Sequence, residues 1–234
     1  MKPTERIFVA IDTPDLGRAV SLAQSLRGLV GGVKLGKEFF TANGPQGVHE
    51  ISAAGMPVFL DLKFHDIPNT VAGAVRSSLA LKPVIVNVHA AGGRAMLEAA
   101  RDAAAEAGAD RPLVIAVTVL TSLDRADLDA TGIHDSVVEQ VTRLAVLARD
   151  SGLDGVVCSA HEIMRLRGAC GRDFKIITPG IRPEWAASGD QKRIVTPAEA
   201  INLGADYLVI GRPITGADDP ADAARRIADE LSGL

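Results

Sequence analysis

A single closed (β/α)8 barrel of the α/β class is the fold that the sequence predicts. Three observations lead to it. Eight short runs rich in β-branched residues alternate with eight Ala-rich amphipathic stretches, the pattern of strand and helix repeated. The chain has 234 residues, close to the roughly 250 that such a barrel takes, and no Pro/Gly/Ser linker or low-complexity segment divides it. A doubly wound open sheet would carry a GxGxxG turn after its first strand, where Asp12-Thr13-Pro14-Asp15 stands instead.

In chain order, IFVAID (7–12) is followed by an amphipathic stretch near 15–29, GGVKLG (31–36) by 37–54, and VFLDLKF (58–64) by 69–81. VIVNVHA (84–90) leads to 92–107, LVIAVTVL (113–120) to 134–151, and GVVCS (155–159) to 161–169. KIITPGI (175–181) reaches its helix at 197–203 only after a long polar loop, and YLVIG (207–211) is followed by 218–232. The whole, 1–234, reads as one TIM-barrel domain.

Composition narrows the function classes. A hydrophobic content of 47% excludes a disordered chain. No apolar run approaches the ~20 residues of a spanning helix, and MKPTERIF enters the first strand without a signal-peptide core, so a cytoplasmic protein with no membrane partner is expected. A net charge of -4 with no basic run argues against nucleic acid. Cys158 and Cys170 match neither a CxxC nor a zinc pattern and read as buried reduced thiols.

Residues two apart on a barrel strand share a face. In 58–64, Val58, Leu60, Leu62 and Phe64 suit the helix-facing side, which turns Phe59, Asp61 and Lys63 inward, the last two near the C-terminal end where barrel enzymes keep their sites. Asp12 ends the first strand, Lys34 turns in between Gly32 and Gly36, and Asn87 and His89 oppose the Val84, Val86, Val88 stripe. One such ion pair could be structural. Four strands delivering polar ends to one mouth exceed what stability requires, because buried charges cost several kcal/mol each before pairing. Asp66, before Pro68, reads on its own as a cap for the next helix.

The last two strands end in Thr178-Pro179-Gly180-Ile181-Arg182-Pro183 and Ile210-Gly211-Arg212-Pro213-Ile214-Thr215. Each offers a glycine for close backbone approach and an arginine whose planar fork suits phosphate oxygens, in the loops where barrels often bind phosphate esters. The polar loop 183–193, with Trp185 and Gln191, has the length of a lid over a ligand.

The string DLKFHDIPNT (61–70), with TPGIR (178–182) and IGRPIT (210–215), resembles the bacterial type of the orotidine 5'-phosphate decarboxylase family, in the family's order from first strand to last. The resemblance implies a homodimeric barrel that converts orotidine 5'-monophosphate to uridine 5'-monophosphate (UMP) and CO2 in de novo pyrimidine synthesis, with neither metal nor cofactor. It implies a charged network of Lys34, Asp61, Lys63 and Asp66, Lys63 donating the proton to C6. Asp66 and Thr70 would reach into the other subunit's site. Asp12 and Lys34 would bind the ribose hydroxyls, Thr121 the pyrimidine, Gln191 both base and phosphate, and Arg182, Gly211 and Arg212 the phosphate.

Two alternatives stand beside it. A metal-dependent sugar-phosphate decarboxylase or lyase of the same superfamily shares Asp-x-Lys-x-x-Asp, although the His65, Ile67–Thr70 and Gln191 context argues against it. A non-catalytic nucleotide-binding barrel would retain the fold with an idle network. His49, His134 and His161 read as exposed helix residues, and Asp124, Asp127 and Asp129 as a solvated loop. No histidine pair is assigned a metal.

Overall fold

A computed structural model describes residues 1–186 and 195–233. Eight parallel strands close on themselves in sequence order, β1 (Ile7–Ile11), β2 (Gly32–Gly36), β3 (Val58–Phe64), β4 (Ile85–His89), β5 (Leu113–Val117), β6 (Gly155–Val157), β7 (Lys175–Pro179) and β8 (Tyr207–Ile210), with β8 returning to β1. The TIM-barrel reading therefore holds. Outside the strands lie α1 (Leu16–Leu26), α2 (Lys37–Ala53), α3 (Pro68–Ser78), α4 (Arg94–Ala105), α5 (Arg125–Ala130) and α6 (Val137–Asp150). They are followed by α7 (Ile163–Cys170), α8 (Pro197–Leu203), α9 (Arg212–Thr215) and α10 (Pro220–Ser232).

Side-chain alternation builds two apolar layers. Val9, Val33, Leu60 and Val86 face outward and meet helix stripes such as Ala19, Leu22, Ala23 and Leu26 of α1 and Ala224, Ile227 and Leu231 of α10. Phe8, Phe59, Ile85, Ile115 and Ile177 fill the interior below the mouth, with Phe8 edge-on to Phe59 at 6.1 Å between ring centroids. At the short sixth strand, a Cβ on Gly155 would lie 2.2 Å from the Lys175 carbonyl oxygen, so only glycine lets β6 approach β7 there. Cys158 and Cys170 are free, and burial pushes the Cys158 thiol well up, keeping it protonated.

Several local readings change. The 113–120 and 175–181 runs leave the sheet at Val117 and Pro179, because their last residues bend into the loops of the mouth. The acidic 124–129 segment is a short helix rather than a loop: Asp124 accepts from the Ala126 and Asp127 N–H groups while Asp127 returns a bond to the Asp124 N–H. The amphipathic stretch 37–54 is broken at Gly44, whose φ of 59° and the following Pro45 kink it. Asp66 does not cap α3. Ile67 occupies the cap position without a side-chain bond, and Asp66 Oδ1 accepts from the Ile67 N–H at 2.7 Å.

Candidate active site

The C-terminal end of β3 organises the mouth. Leu60 pairs with Val86 and Phe64 with Val88, so Asp61, Leu62 and Lys63 stand against Asn87 alone. The excess is absorbed at Lys63, which takes a left-handed φ of 52°. Such a conformation costs a residue with a side chain about 1–3 kcal/mol and persists where its surroundings hold it. Leu62 and Phe64 keep their outward positions against the helix layer, so Asp61 and Lys63 remain on the inner side.

Asp61 is the centre of the charge cluster. Its Oδ1 accepts from Lys63 Nζ at 2.6 Å and from Asn87 Nδ2 at 2.6 Å, and its Oδ2 lies 3.1 Å from Lys34 Nζ. Lys34 also reaches Asp12 Oδ1, at 3.4 Å. Burial by itself would raise the Asp61 carboxyl, but the ammonium of Lys34, then that of Lys63 and the hydrogen bonds from Lys63 and Asn87, together hold it below the usual carboxylate range. Asp61 is thus a buried carboxylate between two ammonium groups, while the Asp12 side chain is 58% exposed at the rim.

A cavity of about 210 Å³ opens above the cluster. Lys34, Asp61, Lys63, Asn87 and Thr121 supply its polar wall, and Val117, Leu120, Val157 and Pro179 much of its apolar one. A flat ring with polar edges suits such a wall. The larger cavity, about 410 Å³ between Trp185 and the start of α10, contains none of the predicted site residues.

The family model described as orotidine 5'-phosphate decarboxylase / HUMPS matches residues 5–227. This chain belongs to that family. A curated orotidine 5'-phosphate decarboxylase of Rhodospirillum rubrum is 61% identical over 97% of this chain and 94% of its own length. That of Paramagnetospirillum magneticum is 56% identical over 96% and 97%. A crystal structure of orotidine 5'-phosphate decarboxylase from Lactobacillus acidophilus superposes with a TM-score of 0.86 at 35% identity, covering 96% of this chain and 98% of that one.

Against the family's pattern, the fold gathers Asp12, Lys34, Asp61 and Lys63 into one chain of contacts and sets Thr121 on the same cavity. Asp66 and Thr70 are exposed and do not join those ion pairs among the described residues. Arg182 is buried just beyond β7, its N–H bonded to the Val195 carbonyl at 3.1 Å. Gly211 caps α9, on whose first turn Arg212 is exposed. Gln191 and most of the 183–193 loop lie outside the described residues.

Two features carried no assigned role in the sequence. Asn87 was legible as an inward residue, but its two-sided contact depends on the β3 irregularity. His89 sits 5.3 Å from His65 between ring centroids, and its imidazole is lowered by partial burial, then by His65, Lys37 and Lys63, against an opposing pull from Asp61. Among the described residues no group of three or more His, Cys, Asp or Glu side chains could hold a metal ion, and no helix is long and apolar enough to cross a membrane.

Proposed function

We propose that this chain is an orotidine 5'-phosphate decarboxylase, converting orotidine 5'-monophosphate to UMP and CO2 in pyrimidine biosynthesis. The observation that carries the reading is the Lys63 ammonium, held by Asp61 at 2.6 Å on the wall of the mouth cavity, in a chain whose near full-length relatives bear that activity by name.

Loss of CO2 from C6 leaves an electron pair in the plane of the pyrimidine, where the π system cannot take it up. Stabilisation must come from a nearby positive charge. Lys63 supplies it as the C6–carboxyl bond breaks, then transfers a proton from Nζ to C6 to give UMP. Asp61 keeps the ammonium in place and crowds the substrate carboxylate; two unit charges about 4 Å apart repel by about 4 kcal/mol at an effective dielectric near 20. Lys34 and Asp12 hold the ribose hydroxyls and Thr121 the base. Arg182, Gly211 and Arg212 hold the phosphate, with Gln191 spanning phosphate and base, so that remote binding energy aligns the ring.

In this reading the enzyme is a cytoplasmic homodimer in which Asp66 and Thr70 complete the partner's site. Their exposure supports it, as does that of Ile67 beside them, 67% exposed for a large apolar residue. A metal-dependent sugar-phosphate lyase is the second reading, since the family description spans more than one activity. Lys34 disfavours it, because its ammonium already stands between the Asp12 and Asp61 carboxylates, 3.4 and 3.1 Å away. The deciding experiment follows orotidine 5'-monophosphate by absorbance with purified protein in excess EDTA. Steady conversion to UMP is expected; no turnover, or turnover restored only by added metal, overturns the proposal.

A further inference from the structure

We infer that Asn87 is a positioning residue for the decarboxylation, aiming the Lys63 ammonium by holding both the backbone of Lys63 and the carboxylate that grips its side chain. The inference rests on the proposed reaction. Asn87 Oδ1 accepts the Lys63 backbone N–H at 2.8 Å, and Asn87 Nδ2 donates to Asp61 Oδ1 at 2.6 Å. The same Asp61 oxygen receives Lys63 Nζ at 2.6 Å. Lys63 is therefore tied at both ends to one Asn87–Asp61 unit.

The need for such a clamp follows from the register. On the β4 side Asp61, Leu62 and Lys63 face Asn87 alone, so this part of β3 lacks the regular register with β4, although Asp61 still pairs with Gly36 of β2. Lys63 adopts left-handed φ there, at 52°. An amide carries an acceptor and a donor on two separate atoms, so a single Asn side chain can take the Lys63 N–H and donate to the Asp61 carboxylate together. Asn87 is 1% exposed, and its loss would take the acceptor from the Lys63 N–H and leave Asp61 held by the two lysines alone.

Three variants separate positioning from mere support. Asn87→Ala removes both bonds, and kcat is expected to fall about 10²-fold, the scale of a misplacement of about 1 Å, with KM changed far less. Asn87→Asp keeps the acceptor for the Lys63 N–H but sets a second carboxylate against Asp61. Its kcat is expected to be low near pH 8 and to recover toward pH 5, as the new carboxyl gains a proton and donates again. The charged groups around that carboxyl are Asp61 and Lys63 on β3 and Lys34 on β2; the titratable His89 lies on β4 itself, and β5 presents Ile115 at its level. Asn87→Ser, which is smaller, guards against a general loss of fold; it should track Asn87→Ala in kcat while unfolding cooperatively.

Hydrogen exchange at the Lys63 amide gives a readout that needs no turnover. It should be slow in the parent and in Asn87→Asp, and fast in Asn87→Ala. If the parent fails to convert orotidine 5'-monophosphate, the functional reading falls and the exchange pattern still decides the clamp. Equal exchange in all variants, an Asn87→Ala kcat indistinguishable from the parent's, or an Asn87→Asp pH profile parallel to the parent's would overturn the inference.

Discussion

Lys34 and Asp61 meet across the seam between β2 and β3, Nζ to Oδ2 at 3.1 Å, with side chains 11% and 9% exposed. At that burial the attraction is little screened, and removing one partner strands the other. Breaking a buried pair in this way costs about 3–5 kcal/mol. Lys34→Ala should fall toward the lower end, because Lys63 still neutralises Asp61. Asp61→Asn strands both lysines in the parent but only Lys63 in Lys34→Ala, so it should cost less in the variant than in the parent, and the two substitutions should be non-additive in urea unfolding. Strict additivity would mean that the pair contributes only through its separate contacts.

The phosphate reading separates binding from chemistry. Arg212 lies on the first turn of α9 directly after β8 and does not line the cavity that holds Lys63. Arg212→Ala should lower kcat/KM for orotidine 5'-monophosphate by about 10–10²-fold, as expected for a charge-assisted bond of about 1.5–3 kcal/mol. Toward orotidine, which lacks the phosphate, the variant and parent should be alike. A comparable loss on both substrates would place the arginine's effect elsewhere.

The barrel and the inward side chains were legible because strand alternation is a local property: Asp12, Lys34, Asp61 and Lys63 each follow from counting by two. What the alternation does not encode is the mismatch of β3 with β4, a property of two strands together, so Asn87 could be placed inside without its role emerging. The helix at Arg125–Ala130 escaped for a different reason, since six residues show no period and Asp124 and Asp127 look the same as caps or as solvated charges. Asp66 is exposed in the single chain, its Oδ1 bonded to the next residue's N–H. Any catalytic meaning it has comes from the family's pattern.

His89 should make the fold acid-sensitive. Its imidazole is held below the ordinary value of 6.5, first by burial and then by His65, Lys37 and Lys63. Below pH 6.5 the unfolded chain therefore binds a proton that the folded chain refuses. The stability is fully present above that value and is lost as pH falls through the folded one. Urea midpoints measured from pH 7.5 downward should drop for the parent and drop less for His89→Asn. Parallel curves would remove His89 from the account.

The assignment of Asp66 to the partner's site makes a prediction that no single-chain role shares. Lys63→Ala should inactivate a chain's own site, and Asp66→Ala should inactivate the site across the interface. Each homodimer then has two damaged sites. In a mixed dimer, the site whose Lys63 is intact receives Asp66 from the Lys63→Ala partner, while the other site loses both groups. Unfolding and refolding an equimolar mixture should form about half of the dimers as heterodimers if pairing is random, each with one restored site. Activity near one quarter of the parent's is the expected yield. Heterodimers verified by tagging that stay inactive would place Asp66 within its own subunit's site.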